Sequence, residues 1–319
     1  MATNSLHKIS DNYRQPGFFE RARTDIKRNR SLYILIIPVI VFYILFSYRP
    51  MYGAIIAFQD YTPGQGITGS PWVGLKHFVD FFTSEDFKRL MQNTLRISVA
   101  SLVFGFPAPI ILALLINEVK NKSFKKVTQT ITYLPHFISL VVVCGMIKTF
   151  VSSEGIISQF IALIGHTEPK NYLQDSNAFL PIYLLSNIWA GMGWESIIYI
   201  SALTTVEAQL YEAARIDGAG KWKQLLNVTL PGIAPTIVTM FILKIGNIMG
   251  VGYEKIILLY NPLIYDKSDV ISSYVYRLGF TGQQWSYTTA IGLFNSAVNL
   301  VFLIAANTLS KKLNETSLW

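Results

Sequence analysis

The chain alternates between long charge-free runs and short polar connections. Ser31–Tyr48, Ile97–Asn117, Val127–Ile147, Ser176–Trp194 and Leu225–Leu243 contain no Asp, Glu, Lys or Arg. Each approaches the roughly 20 residues that an α-helix needs to cross a bilayer. A further run, Leu278–Ser310, is too long for one crossing, and the aromatic Trp285 and Tyr287 place its helix near 287–309. The pattern predicts an all-α membrane protein with six transmembrane helices.

The connections carry their own periodicity. Thr204 and Glu207 have the spacing of a capping box, so a helix is expected to begin there. Val206, Leu210, Ala213 and Ala214 follow at helical spacing, with Glu207, Glu212 and Arg215 off or beside that stripe. Asp217-Gly218 and Gly220 break the helix, and a second short helix is expected over 221–228 before Leu230-Pro231. Before the first run, Phe18, Phe19, Ala22 and Ile26 recur among Arg and Lys. That spacing fits an interfacial helix on an anionic membrane, and equally a basic tail.

Composition agrees with the pattern: 51% of residues are hydrophobic and 14% charged. Charge then orients it. Lys8, Arg14, Arg21, Arg23, Lys27, Arg28 and Arg30 precede the first run, and Lys120, Lys122, Lys125 and Lys126 follow the second. Arg215, Lys221, Lys223, Lys311 and Lys312 fall on the same side. The positive-inside rule puts both termini and the 205–235 loop in the cytoplasm. The net charge of +8 is explained by these flanks. No basic groove or module supports nucleic-acid binding. The organisation is a basic N-terminus (1–30), a six-helix domain (31–309) containing the 205–235 loop, and a short cytoplasmic tail (310–319). The single cysteine, Cys144, lies inside a run, and the four histidines lack metal-ligand spacing.

The loop admits two readings: an amphipathic helix packed on its own chain, or a docking surface for a soluble partner. Small Ala213 and Ala214 allow close approach, and Glu212 offers a carboxylate to a basic group. Glu212-Ala213-Ala214, Asp217-Gly218-Ala219 and Thr229-Leu230-Pro231 resemble the EAA loop of permease subunits in ATP-driven, binding-protein-dependent ABC importers. The chain is similar to the maltose-type carbohydrate-uptake permeases. Arg49-Pro50-Met51-Tyr52-Gly53 and the segment 253–262 resemble the LplB-like branch associated with oligo- and polysaccharide uptake. The resemblance implies a type I importer fold in a bacterial cytoplasmic membrane, with Glu212, Ala213, Ala214, Asp217, Gly218, Leu230 and Pro231 coupling to an ATPase. It implies two ATPase subunits holding ATP and Mg, a second permease subunit, homologous and non-identical, and an extracytoplasmic binding protein that delivers an oligosaccharide. No cofactor is expected on this chain. Gly218-Ala219-Gly220-Lys221 is not a phosphate-binding loop: Arg215 replaces its first glycine, and Trp222 its Ser or Thr.

Polar residues at membrane depth are costly and usually face a cavity or partner. Asn187, Gly191 and Glu195 share one helical face, beside Trp194, and Lys244 and Asn247 share another. The resemblance places Asn187, Gly191 and Trp194 on sugar-lining positions, and Lys244 and Asn247 too if one residue is deleted after Leu230-Pro231. Asn and carboxylate suit sugar hydroxyls, and Trp suits their CH faces. Lys244 would suit a uronate carboxylate, or would simply neutralise Glu195. Asn295 and Asn299 are expected to make helix–helix hydrogen bonds. Importers of other solutes share the loop, and a channel or membrane enzyme with a regulatory loop is a further alternative, although no catalytic cluster is apparent.

Overall fold

The computed structural model describes residues 17–314, which are almost entirely helical. Lys8, Arg14 and the end of the tail lie outside the described residues. The chain divides into two units, Met1–Ile55 and Ile56–Trp319.

In the first unit, helix α1 (Phe18–Arg28) is followed by α2, a candidate span over Arg30–Phe58. Asp25 joins the two, accepting from Asn29 Nδ2 and from the Tyr33 hydroxyl, each at 2.6 Å. The predicted end at Tyr48 falls short, because Arg49-Pro50 does not stop the helix.

A recurrent device explains this. Pro50, Pro107 and Pro231 each stand two residues after a π-helical turn, at Ile44–Tyr48, Ser101–Gly105 and Leu225–Thr229. Proline lacks an N–H and its ring clashes with the carbonyl four residues earlier. Those carbonyls belong to Phe46, Val103 and Asn227, all inside the wide turns. The extra residue in each turn accommodates the ring without ending the helix.

In the second unit, α3 (Lys76–Thr83) precedes α4 (Glu85–Glu118), which starts well before the predicted span because its first turns are polar. The third predicted span is not straight. It comprises α5 (Lys122–Phe137) and α6 (Leu140–Phe150), bent by 97°. Pro135 ends α5 in a tight turn, and Ser139 starts α6 by accepting from the Val142 amide at 3.4 Å. Then come α7 (Ile156–Gly165), α8 (Ser176–Thr204), α9 (Ala208–Ile216) and α10 (Lys221–Ile245). The chain ends with α11 (Tyr253–Leu259), α12 (Ile271–Tyr276) and α13 (Trp285–Asn314).

Among the described residues, four helices are long and apolar enough to cross a membrane: α2, α4, α10 and α13. The bent pair makes a fifth if it counts as one. With its 29 residues α8 is long enough at about 1.5 Å per residue, but Asn187, Gly191, Gly193 and Glu195 leave it less apolar.

Three buried clusters hold this unit together. Ile97, Cys144, Phe179, Tyr183, Ile256 and Leu259 join α4, α6, α8 and α11. Phe81, Leu90, Met249, Ile271 and Ile291 join α3, α4, α12 and α13. Ile110, Ala113, Tyr199, Leu203 and Ile233 join α4, α8 and α10. Gly193 lets α8 meet α5, since a Cβ there would sit 2.0 Å from the Thr132 carbonyl oxygen.

Candidate functional site: an exposed helical loop and a polar cavity

The loop differs from its predicted start. Thr204 is the last residue of α8 and its hydroxyl donates to the Ser201 carbonyl at 2.7 Å, so it caps nothing. Glu207 occupies the cap of α9 without a side-chain bond. The end is as expected. Gly218 adopts φ +73°, and the Ala219 amide reaches back to the Ala214 carbonyl at 2.8 Å. Side chains lacking glycine's freedom rarely take that conformation. Gly220 then opens α10, so the expected second short helix is the first stretch of a long one. Leu230 and Pro231 follow its π turn.

Two bonds pin the loop from within. The Tyr211 hydroxyl donates to Thr229 Oγ1 at 3.1 Å, and Gln224 Nε2 to the Ala219 carbonyl at 2.7 Å. Val206 packs toward Gly232. The rest faces outward. Glu212, Ala213, Arg215, Asp217 and Gly218 are exposed, as are Leu210 (49%), Ile216 (86%) and Trp222 (77%). Of the predicted stripe, Leu210 and Ala213 are exposed while Val206 and Ala214 are half-buried, so this chain's own packing takes up only part of it and leaves an apolar surface at Leu210, Ile216 and Trp222. Glu212 takes part in none of the ion pairs among the described residues.

Between the long helices lies a cavity of about 700 Å³. Asn187, Gly191 and Glu195 from α8, Lys244 at the end of α10, and Asn247 just beyond all line it. The helical spacings read from sequence thus bring five predicted residues together. Trp194, the sixth, is not in the wall. Its indole stacks on His136, with centroids 4.6 Å apart and planes 2° from parallel, while Phe137 packs edge-on. The bend after α5 delivers both rings, and His136 rather than Trp194 lines the cavity. Gly191 leaves open space, since an added Cβ would meet only Glu195 Oε1 at 3.5 Å.

Glu195 Oε1 and Lys244 Nζ are 4.0 Å apart, and both side chains are about half exposed (49% and 48%). At that distance and exposure the pair contributes at most about 1 kcal/mol. Asn299 of α13 accepts from the Met249 amide at 2.9 Å, so it ties α13 to the turn after α10 rather than to another helix. Asn295 Oδ1 is buried without a partner.

Sequence reasoning missed Lys255. It is 4% exposed, lines the cavity, and donates from Nζ to Asn187 Oδ1 at 2.7 Å, with Nζ 5.5 Å from the centroid of the Tyr183 ring. The signal was present: Lys255 shares a face of α11 with Ile256 and Leu259, so one cation interrupts an apolar stripe.

Nearby polar contacts fix α12 and the turn before it. Asp269 is fully buried and takes two bonds from Arg277, at 3.1 and 2.7 Å, and one from Ser273 at 2.8 Å. Burial opposes the Arg277 charge, but the Asp269 carboxylate outweighs it and holds the guanidinium more basic than usual. Asn93 of α4 donates to the Asp266 and Asp269 carbonyls.

An all-helical chain with an exposed helical loop carrying Glu-Ala-Ala and a largely apolar cavity bearing a few polar and charged groups among membrane-length helices has the build of a permease subunit. Residues 105–315 match the model of the binding-protein-dependent transport system inner membrane component, and the chain belongs to that family. It is accordingly a transport subunit of a bacterial inner membrane rather than an enzyme. The chain is 43% identical over 303 residues, 94% of each chain, to the polygalacturonan/rhamnogalacturonan transport system permease protein YteP of Bacillus subtilis. Protein LplB of the same organism is 40% identical over 296 residues, 92% of each. A crystal structure of a bacterial ABC transporter that imports the acidic polysaccharide alginate matches with TM-score 0.85 and 44% identity, over 92% of this chain and all of that one.

Proposed function

We propose that this permease imports an oligosaccharide through the cavity bounded by α4, α6, α8 and α10. The observation that carries this reading is the cavity itself: about 700 Å³, with Asn187, Glu195, Lys244 and Asn247 converging on it. That volume falls within the roughly 300–1,000 Å³ range of small-molecule sites. Amide and carboxylate groups suit sugar hydroxyls, and Gly191 leaves room beside them. The named substrates of the relatives are consistent with a saccharide.

In this reading six crossings leave both termini and the α9 loop in the cytoplasm, with α8 and the bent α5–α6 pair as two of the six. A homologous, non-identical second permease and two ATPase subunits complete the membrane complex. ATP with its Mg ion is bound by the ATPases, and an extracytoplasmic binding protein delivers the sugar to the outer loops. ATP favours the closed ATPase pair, and a ligand shifts an equilibrium only by its preference between states. Closure is passed to the permease through Glu212, Ala213 and Ala214. The basic α1 lies along the inner membrane surface.

Reconstitution in vesicles tests the reading. Labelled oligosaccharide should accumulate only when ATPase, ATP and binding protein are all supplied. Downhill flux without the ATPase would point to a channel instead. For topology, Lys125→Cys and Lys223→Cys in a Cys144→Ala background should react with an impermeant thiol reagent only from the cytoplasm. Gln65→Cys and Gln283→Cys should react only from outside, and the opposite pattern would overturn the orientation.

A further inference from the structure

We propose that Lys255, with Asn187 and Tyr183, forms a carboxylate-binding subsite that makes the cavity selective for acidic saccharides. This rests on the reading of the cavity as a saccharide path and names the charge class of that saccharide.

Lys255 is the one lysine in the buried class among the described residues, and none of their ion pairs includes it. A buried ammonium without a carboxylate is costly, because burial removes its water and supplies no opposite charge. Its near groups are the Asn187 amide oxygen at 2.7 Å and the face of Tyr183. Both are neutral. They orient the ammonium and partly stabilise it but leave its charge uncompensated. An ammonium has three donors, and the Asn187 oxygen uses one.

The two cavity lysines therefore differ in kind. Lys244 is about half exposed and already faces Glu195 at 4.0 Å. Water and a carboxylate both moderate its charge, so it has little left for a ligand. Lys255 faces no carboxylate and is only 4% exposed, and it lines the same cavity.

The subsite is also built to hold still. Ile256 and Leu259, on the same face of α11, are 0% and 1% exposed in the cluster with Tyr183. Glu195, eight residues along α8 from Asn187, also lines the cavity, and its negative charge disfavours a carboxylate there. A uronate residue would thus be oriented with its carboxylate toward Lys255 and its hydroxyls toward Glu195 and Asn247. A neutral sugar would leave the ammonium uncompensated.

The test is equilibrium binding to the purified, fully assembled permease–ATPase complex. Two probes are compared: trigalacturonate, and the same trisaccharide with its carboxylates reduced to hydroxymethyl groups. The wild type should prefer the uronate by about tenfold or more, the discrimination one charge-assisted hydrogen bond can supply. Lys255→Met should bring the two affinities to parity, and Lys255→Arg should keep a preference. A uronate preference that survives Lys255→Met overturns the assignment. If Lys255→Met does not assemble, Asn187→Asp serves, because it places a carboxylate on Lys255 from within and should also erase the preference. Persistence of the preference there is equally fatal. Wild-type binding of the reduced sugar as tight as the uronate leaves the saccharide path standing and removes the Lys255 subsite. Binding of neither sugar removes the saccharide path itself.

Discussion

The α9 loop and the cavity are assembled in opposite ways. The loop is one continuous stretch, from Val206 to Pro231, whose geometry comes from local rules: a stripe at helical spacing, a glycine at φ +73°, and a short helix start. The cavity draws on α4, the α5–α6 bend, α6, α8, α10 and α11, and its charged residues Glu195, Lys244 and Lys255 come from three different helices. A partner that docks as a rigid body needs a surface that forms locally and protrudes. A solute that must pass between helices needs a site whose walls belong to different elements, because only then does relative movement of the elements open or close it.

Four substitutions press on this contrast. The largest effect should come from Gly193→Val. Its Cβ would meet the Thr132 backbone, which cannot yield without parting α8 from α5. We expect a loss of about 3 kcal/mol or more, seen as a lowered Tm or loss of assembled complex. Gly191→Ala, two residues away in open space, should leave Tm nearly unchanged. Equal behaviour of the two would mean that the cavity wall is not set by this close approach.

Next comes Glu212→Lys. It lies on an exposed helix, so the permease should fold with unaltered Tm. Uptake and substrate-stimulated ATP hydrolysis should nevertheless fall by about tenfold or more if Glu212 meets the ATPase as proposed, because a charge would then be reversed at that interface. Full activity with normal ATPase copurification would return the loop to the role of ordinary surface.

A smaller effect is expected for Gly218→Ala. The left-handed conformation costs a side chain about 1 kcal/mol, equivalent to roughly fivefold in ATPase affinity if the turn must keep its shape for docking. Gly218→Asn should lose less. Affinity measurements that rank Ala above Asn would argue against a geometric role for the turn.

The smallest effect concerns Lys244→Met. With 4.0 Å to Glu195 and half exposure on both sides, stability should change by less than about 1 kcal/mol. Combined with Glu195→Gln, the two changes should simply add. A coupling well above that figure would show that the two charges do neutralise each other tightly in the assembled complex.

What was legible in the sequence follows the same division. The turn at Gly218 depends on neighbours a few residues away and is found; of the stripe, Leu210, Ala213 and Ala214 lie on α9, whereas Val206 precedes the helix and packs against the core. The cap at Thr204 failed because α8 extends as far as that residue: a threonine hydroxyl can bond the carbonyl three residues back as readily as an amide ahead. Asn187, Gly191 and Glu195 were paired correctly because one helix carries all three. Lys255 was missed since its significance depends on Asn187, 68 residues earlier. Trp194 turned out to stack on His136 because a sharp bend between α5 and α6 brought that ring over it, and a charge-free run gives no hint of a 97° angle.

The unbroken course of α10 has a mechanical consequence. From Lys221 beside the exposed loop to Lys244 in the cavity wall it spans about 35 Å at 1.5 Å per residue. Such a rod acts as a lever arm. A tilt of only about 10° about its loop end carries the far end sideways by about 6 Å, by the geometry of a rigid helix of that length. A modest displacement imposed at the loop thus becomes a stroke comparable to the width of a sugar ring, with no need for any bond along the shaft to break.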